Sequence, residues 1–118
     1  HCTHEQLNEL IGNAAVSVIT PCWEEPFGLV VAESFACGTP VAGFARGALP
    51  KIVTKETGCL TASCSVTELA KCINDAAQLS RKACRVHAES SLDIQHMVSS
   101  YENIFAQVIK KCADKYVL

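Results

Sequence analysis

The sequence predicts an α/β domain with about three parallel strands flanked by helices and a helical C-terminal tail. Three observations carry this. The β-branched run Ala15-Val16-Ser17-Val18-Ile19-Thr20 is followed by a helical stretch and then by two shorter strand-like segments. Only short turns separate these pieces, and strands alternating with helices over short connections build a parallel sheet wound right-handedly. From Ser65 onward the pattern is helical throughout. Three strands make half of a nucleotide-binding sheet. The 118 residues therefore read as a single partial domain, an α/β half over 1–64 and a helical tail over 65–118.

The elements follow in order. Thr3 with Gln6 three positions on is a capping box, and Leu7, Leu10 and Ile11 recur at helical spacing, so a first helix runs to about Gly12. Ala15 to Thr20, ended by Pro21, is expected as a strand buried on both faces. Gly28 to about Cys37 is the next helix, stopped by Gly38-Thr39-Pro40. Val41 to Phe44 is a second strand and Gly58 to Thr61 a third. Between them lies the loop Arg46-Gly47-Ala48-Leu49-Pro50, leading into a helical turn at Lys51 to Val53. Val66, Leu69, Ile73 and Ala76 share one face of a helix that starts near Ser65, and Ser80 caps another to about Ser90. Asp93 caps the longest, where Ile94, Met97, Val98, Tyr101, Phe105, Val108 and Cys112 form a stripe of period 3.6.

Composition narrows the function classes. With 49% hydrophobic and 19% charged residues there is material for a core, which argues against a disordered tail. The net charge of -2 gives no support to a nucleic-acid partner. No apolar run approaches the ~20 residues of a membrane span, and no signal segment opens the chain. The sequence starts at His1 and its only methionine is Met97, so a fragment lacking its upstream part is expected. The eight cysteines contain no CxxC pair, which removes a zinc reading. Cys37, Cys72 and Cys112 fall where small apolar residues would serve, so reduced thiols and a cytoplasmic location are expected, with a disulfide scaffold as the alternative. His1, Cys2 and His4 at the chain end are read as accident rather than a metal cluster, and no metal site is expected.

The chemistry concentrates in Glu25-Pro26-Phe27-Gly28-Leu29-Val30-Val31-Ala32-Glu33. Glu33 stands in apolar helical sequence, where an unpaired buried carboxylate would be costly. Glu25 stands just before the helix opens, so both acids are expected at the mouth of one hydroxyl-binding site. In an open parallel sheet ligands bind beyond the carboxyl ends of the strands. Residues 21–27 and 45–50 lie there, beside the helix opening at Gly28, whose free amides and positive end suit a diphosphate. Glu25 can accept from sugar hydroxyls and Glu33 from a vicinal diol such as ribose. The plainer alternatives are that Glu25 complements the helix dipole, that Gly28 serves the turn, and that Glu33 bonds to backbone. Arg46 is read as a solvated loop residue, and His87 and His96 as helix-surface residues without an acid–base partner.

Residues 21–41, from Pro21-Cys22-Trp23-Glu24-Glu25 through Gly38-Thr39-Pro40-Val41, closely resemble the signature of the family-four (group 1) retaining glycosyltransferases: two Glu with seven residues between them, a small-residue helix end, then Gly-Thr-Pro-Val. Arg46-Gly47-Ala48-Leu49-Pro50 and Thr57-Gly58-Cys59-Leu60 match the next two landmarks of that family in order and spacing. Lys51, where the family commonly has Glu, and Cys22, where it often has Ser, depart from the pattern without touching the paired acids.

The resemblance implies the second half of a Rossmann-like GT-B C-terminal domain in a longer, two-domain enzyme. Such an enzyme transfers a hexose from a nucleotide-sugar donor, UDP- or GDP-linked, with retention and with no cofactor or bound metal. By analogy Glu25 is the catalytic candidate and lies next to the donor sugar, with a positioning role. Glu33 bonds the ribose, and the backbone amides of Phe27, Gly28 and Leu29 meet the sugar hydroxyls and diphosphate. The implied partners are the nucleotide-sugar, the missing N-terminal domain of the same chain, on which the long helix would pack, and an acceptor of unspecified kind. Peripheral membrane association stays open. The fragment alone is expected to be inactive, since the basic pair and the acceptor domain lie upstream. The rival readings are a non-catalytic nucleotide-binding or interaction module of the same fold, and another GT-B enzyme such as an epimerase or phosphorylase. No setting for the pyridoxal-phosphate lysine of a phosphorylase is visible.

Overall fold

A computed structural model describes residues 1–116; positions 117 and 118 of the expected tail lie outside the described residues. Three strands, β1 (Ser17–Ile19), β2 (Val41–Phe44) and β3 (Gly58–Thr61), form one parallel sheet in the order β1-β2-β3. Ser17 pairs with Val41, which in turn pairs with Gly58, so all three strands begin in step. The helices are α1 (His4–Asn13), α2 (Leu29–Ala36), α3 (Leu49–Ile52), α4 (Val66–Ala76), α5 (Arg81–Ser91) and α6 (Ile94–Tyr116).

Local chemistry sets most of the boundaries. At α1 both halves of the capping box are made, with Gln6 N–H donating to Thr3 Oγ1 at 3.2 Å and Thr3 N–H to Gln6 Oε1 at 2.9 Å. Ser65 and Ser80 accept from the amides of Glu68 and Ala83 at the starts of α4 and α5. Asp93 does the same for Gln95 at α6. The end of α2 closes with Gly38 N–H on Phe35 O and Thr39 N–H on Ser34 O, both at 2.8 Å, the paired bonds of a Schellman motif.

Alternation along β2 divides the core between the two faces of the sheet. Val41 faces α2 and α5, packing with Val31, Phe35, Leu49, Cys84 and Ala88. Ala42 faces α4, packing with Cys72 and Ala76. Both strand residues are fully buried. Arg81 ties the layers together. Its guanidinium donates to Ala14 O at 2.7 Å, to Gly12 O and to Thr39 Oγ1 at 3.0 Å, and so satisfies carbonyls at the end of α1 that the helix itself leaves free.

Several expectations are corrected. The first strand is three residues long and is not buried on both faces: it forms the edge of the sheet and Val18 is 46% exposed, because no element covers that side among the described residues. The turn expected at Lys51 begins at Leu49, since Pro50 is tolerated in a first helical turn. On α4, Val66 is 80% exposed; the buried face runs through Cys72 and Ala76. His87 is no surface residue: it is half-buried, its ring lies edge-on to Phe35, and Nε2 is 2.9 Å from Ile52 O. The α6 stripe, expected to pack on a surface beyond these residues, is uncovered among them: Ile94, Met97, Tyr101, Phe105, Val108 and Cys112 are exposed. All eight cysteines are free. No described helix is long and apolar enough to cross a membrane.

Candidate functional site

Beyond the carboxyl end of β1 the chain turns at Pro21, runs through Trp23 to Phe27 and enters α2. This path encloses an open, mainly apolar cavity of about 420 Å³. Ile19 and Thr20 form its strand side, Trp23, Glu25 and Phe27 its loop side, and Gly28 to Val31 its helix side. The location is the one where parallel sheets place their ligands.

Glu25 is the carboxylate in the lining. It is half-buried, and both oxygens are engaged. Oε1 accepts from Gly28 N–H at 3.1 Å and Oε2 from the Trp23 indole Nε1–H at 3.0 Å. These two donors set the orientation of the carboxylate at the helix entrance and leave its remaining lone pairs available. The backbone there also depends on glycine. Gly28, the N-cap of α2, has φ 90°, and a Cβ on it would press on Ile52 Cδ1 at 3.1 Å and Leu49 Cδ1 at 3.3 Å.

The loop after β2 braces the loop after β1. Ala48 N–H donates to Glu25 O at 2.8 Å, and Gly47 N–H donates to Glu24 Oε2 at 2.7 Å. Gly47 has φ 58°, and a Cβ there would overlap the main-chain amide and carbonyl of Glu25. Arg46 is not merely solvated, as its sequence setting implied: Nη1 lies 3.7 Å from Glu24 Oε1 and Nη2 3.5 Å from Cys64 Sγ. The contact with the Cys64 sulfur, then the charge of Glu24, hold its guanidinium above the ordinary arginine value.

The sequence-predicted residues divide into two groups. Glu25, Phe27, Gly28 and Leu29 come together around the cavity. Glu33 does not line it. The expectation of a carboxylate buried in an apolar helix fails, because Glu33 is exposed and the desolvation argument does not apply to it in the described residues. Its place on α2 is one turn beyond Leu29 and Val30, on the same helical face. Both of those neighbours are exposed and line the cavity. The amides of Leu29 and Val30 have no protein partner among the described residues, so the start of α2 offers free donors.

Sequence reasoning missed Trp23, Glu24 and Gly47. Trp23 is 63% exposed yet bonded to Glu25, and an aromatic two residues before an acid in a loop was the only signal for it. Among the described residues no three His, Cys, Asp or Glu side chains gather as a metal site.

Comparison with known proteins gives a consistent set of matches. The profile of the family described as glycosyl transferases group 1 matches residues 1–90. A D-inositol 3-phosphate glycosyltransferase of Mycobacteroides abscessus is 46% identical over 59 residues, covering 49% of this chain and 13% of that protein. A glycogen synthase of Mycobacterium tuberculosis is 30% identical over 112 residues, covering 89% of this chain and 27% of that one. Among solved structures, sucrose-phosphate synthase from Thermosynechococcus elongatus superposes with a TM-score of 0.74 at 27% identity, over 94% of this chain and 29% of that one. The chain spans about a quarter or less of the length of these curated relatives.

Proposed function

The chain belongs to the glycosyl transferases group 1 family, of GT-B type, and from that premise we propose that it forms the donor side of a retaining, family-four hexosyltransferase within a longer protein. The observation that carries this reading is the position of Glu25. Its carboxylate is held by Gly28 and Trp23 at the mouth of a cavity beyond β1, next to the unpartnered amides that open α2.

In this reading a UDP- or GDP-linked sugar lies across the start of α2. The amides of Phe27 and Leu29 meet the diphosphate and sugar hydroxyls, favoured by the positive end of the helix, whereas the Gly28 amide, expected there too, is engaged by Glu25 Oε1. Glu25 accepts from the transferred sugar and positions it. Glu33, one turn further, accepts from the ribose diol, and its exposure in this chain is compatible with a role that ligand and neighbouring domain complete. The relatives, by their names, glycosylate an inositol phosphate, make glycogen and make sucrose phosphate, a range that leaves the acceptor to the rest of the protein. The exposed apolar residues of α6 support a second domain of the same chain as the surface they pack on. Half the site would then come from that domain, and the 118 residues alone would show no turnover.

The test is calorimetric titration of UDP and GDP into the full-length protein and its Glu33→Ala variant. Loss of two charge-assisted hydrogen bonds, each worth about 1.5–3 kcal/mol, should weaken binding by at least about a hundredfold. Unchanged affinity would remove Glu33 from the donor site.

A further inference from the structure

The clearest feature outside that site is a pair of sulfurs. Cys59 on β3 and Cys72 on α4 face each other with Sγ atoms 2.7 Å apart, the Cys59 thiol donating to the Cys72 sulfur. Among the described residues no other two cysteine sulfurs are in contact: Cys84 Sγ points to Thr57 O and Cys64 Sγ to Arg46. Cys72 is buried, whereas Cys59 is half-buried, and both border a surface hollow of about 330 Å³. We infer that Cys59 and Cys72 are a modification site at which a small-molecule disulfide such as oxidised glutathione forms an intrachain cross-link between β3 and α4.

The fold has already done the work of bringing the ends together. The segment between the two cysteines is folded back on itself, because Glu68 Oε2 accepts from Thr61 Oγ1 at 2.6 Å and from Ser63 Oγ at 2.5 Å. A disulfide needs its sulfurs at about 2.05 Å, a short approach from the present contact. The closure entropy of the loop has been met by folding, so the second thiol attacks at high effective concentration.

The order of attack follows from burial. Burial first, and the hydrogen bond with Cys59 second, push the Cys72 thiol up to about 11, so its thiolate is scarce at neutral pH. The more accessible Cys59 therefore reacts first. It loses its proton and attacks one sulfur of the oxidant, forming a mixed disulfide and releasing one thiolate. Cys72 then loses its proton and attacks the Cys59 sulfur, releasing the second thiolate. Two cysteine thiols are oxidised, one external disulfide is reduced to two thiols, and the two protons end on the released thiolates.

Peptide mapping tests this on the purified protein. After incubation with oxidised glutathione and alkylation of free thiols, cleavage at Lys55, Lys71 and Arg81 gives peptides 56–71 and 72–81, which hold Cys59 with Cys64, and Cys72, respectively. The expected result is a covalent 56–71/72–81 species, two hydrogens lighter than the sum, that fragmentation assigns to Cys59 and that dithiothreitol abolishes. It should be lost entirely in Cys59→Ala and retained in Cys64→Ala. Linkage through Cys64, persistence of the species in Cys59→Ala, or glutathione left on Cys59 with no linked species at any oxidant concentration would overturn the inference. The wild-type map alone decides if a variant fails to fold.

Discussion

Replacing Gly47 with alanine should break the brace that positions Glu25. Gly47 sits at φ 58°, where an L-residue with a Cβ is strained by roughly 1–2 kcal/mol. The added methyl would also occupy the space of the Glu25 main-chain amide and carbonyl, which are backbone atoms and cannot rotate aside. The loop after β1 must move away. Movement breaks the bond from Ala48 N–H to Glu25 O and the bond from Gly47 N–H to Glu24, at about 0.5–1.5 kcal/mol each. The sum is about 2–5 kcal/mol. With a urea m-value of about 2 kcal/mol/M, the denaturation midpoint of the purified protein should fall by about 1–2.5 M. Gly12→Ala is the control. Gly12 lies in α1 with open space where a Cβ would go, so the same chemical change should stabilise by about 0.5–1 kcal/mol. If Gly47→Ala unfolds within about 0.2 M of wild type, or if both variants shift alike, the proposed clash between the two loops is wrong.

Two further outcomes are expected. Arg81→Ala should destabilise by about 1–3 kcal/mol, since it strips donors from Ala14 O, Gly12 O and Thr39 Oγ1 at once; Arg81→Lys should recover only part of this, because an ammonium lacks the forked geometry, and thermal melts of the three proteins would show the order. Hydrogen bonds from Ser63 and then Thr61 hold the Glu68 carboxyl below its usual value, so its contribution is present above the unfolded value of 4.5 and lost as pH falls through the lower folded value. A Glu68→Gln variant should therefore show a shallower loss of stability below pH 4.5 than wild type, and parallel acid-denaturation curves would refute the assignment.

Legibility in the sequence depended on how local the cause was. The starts of α1, α4 and α5 were read from Thr3, Ser65 and Ser80 because a cap acts over three residues. The bounds of β2 and β3 were read from short apolar runs between turn signals. The same reasoning overextended β1, since Ala15 to Thr20 has strand composition along its length but only Ser17–Ile19 finds a partner in β2. Residues whose role depends on distant neighbours were misread. Nothing adjacent to His87 announces that Ile52 O lies beside its ring, or that Phe35 packs on it. Nothing adjacent to Arg81 announces its role either, because the carbonyls it meets lie more than sixty residues upstream in the case of α1.

The candidate site shows the same division within nine residues. The spacing of Glu25, Gly28 and Glu33 and the placing of a helix start beside a strand end follow from the chain alone, because helix periodicity, a proline and a glycine are local constraints. Which carboxylate is sheltered was a tertiary matter. Burial depends on what lies opposite, and in the described residues the loop with Trp23 lies over Glu25 while nothing lies over Glu33. The apolar neighbours of Glu33 in sequence suggested an interior that the fold of these residues does not build around it.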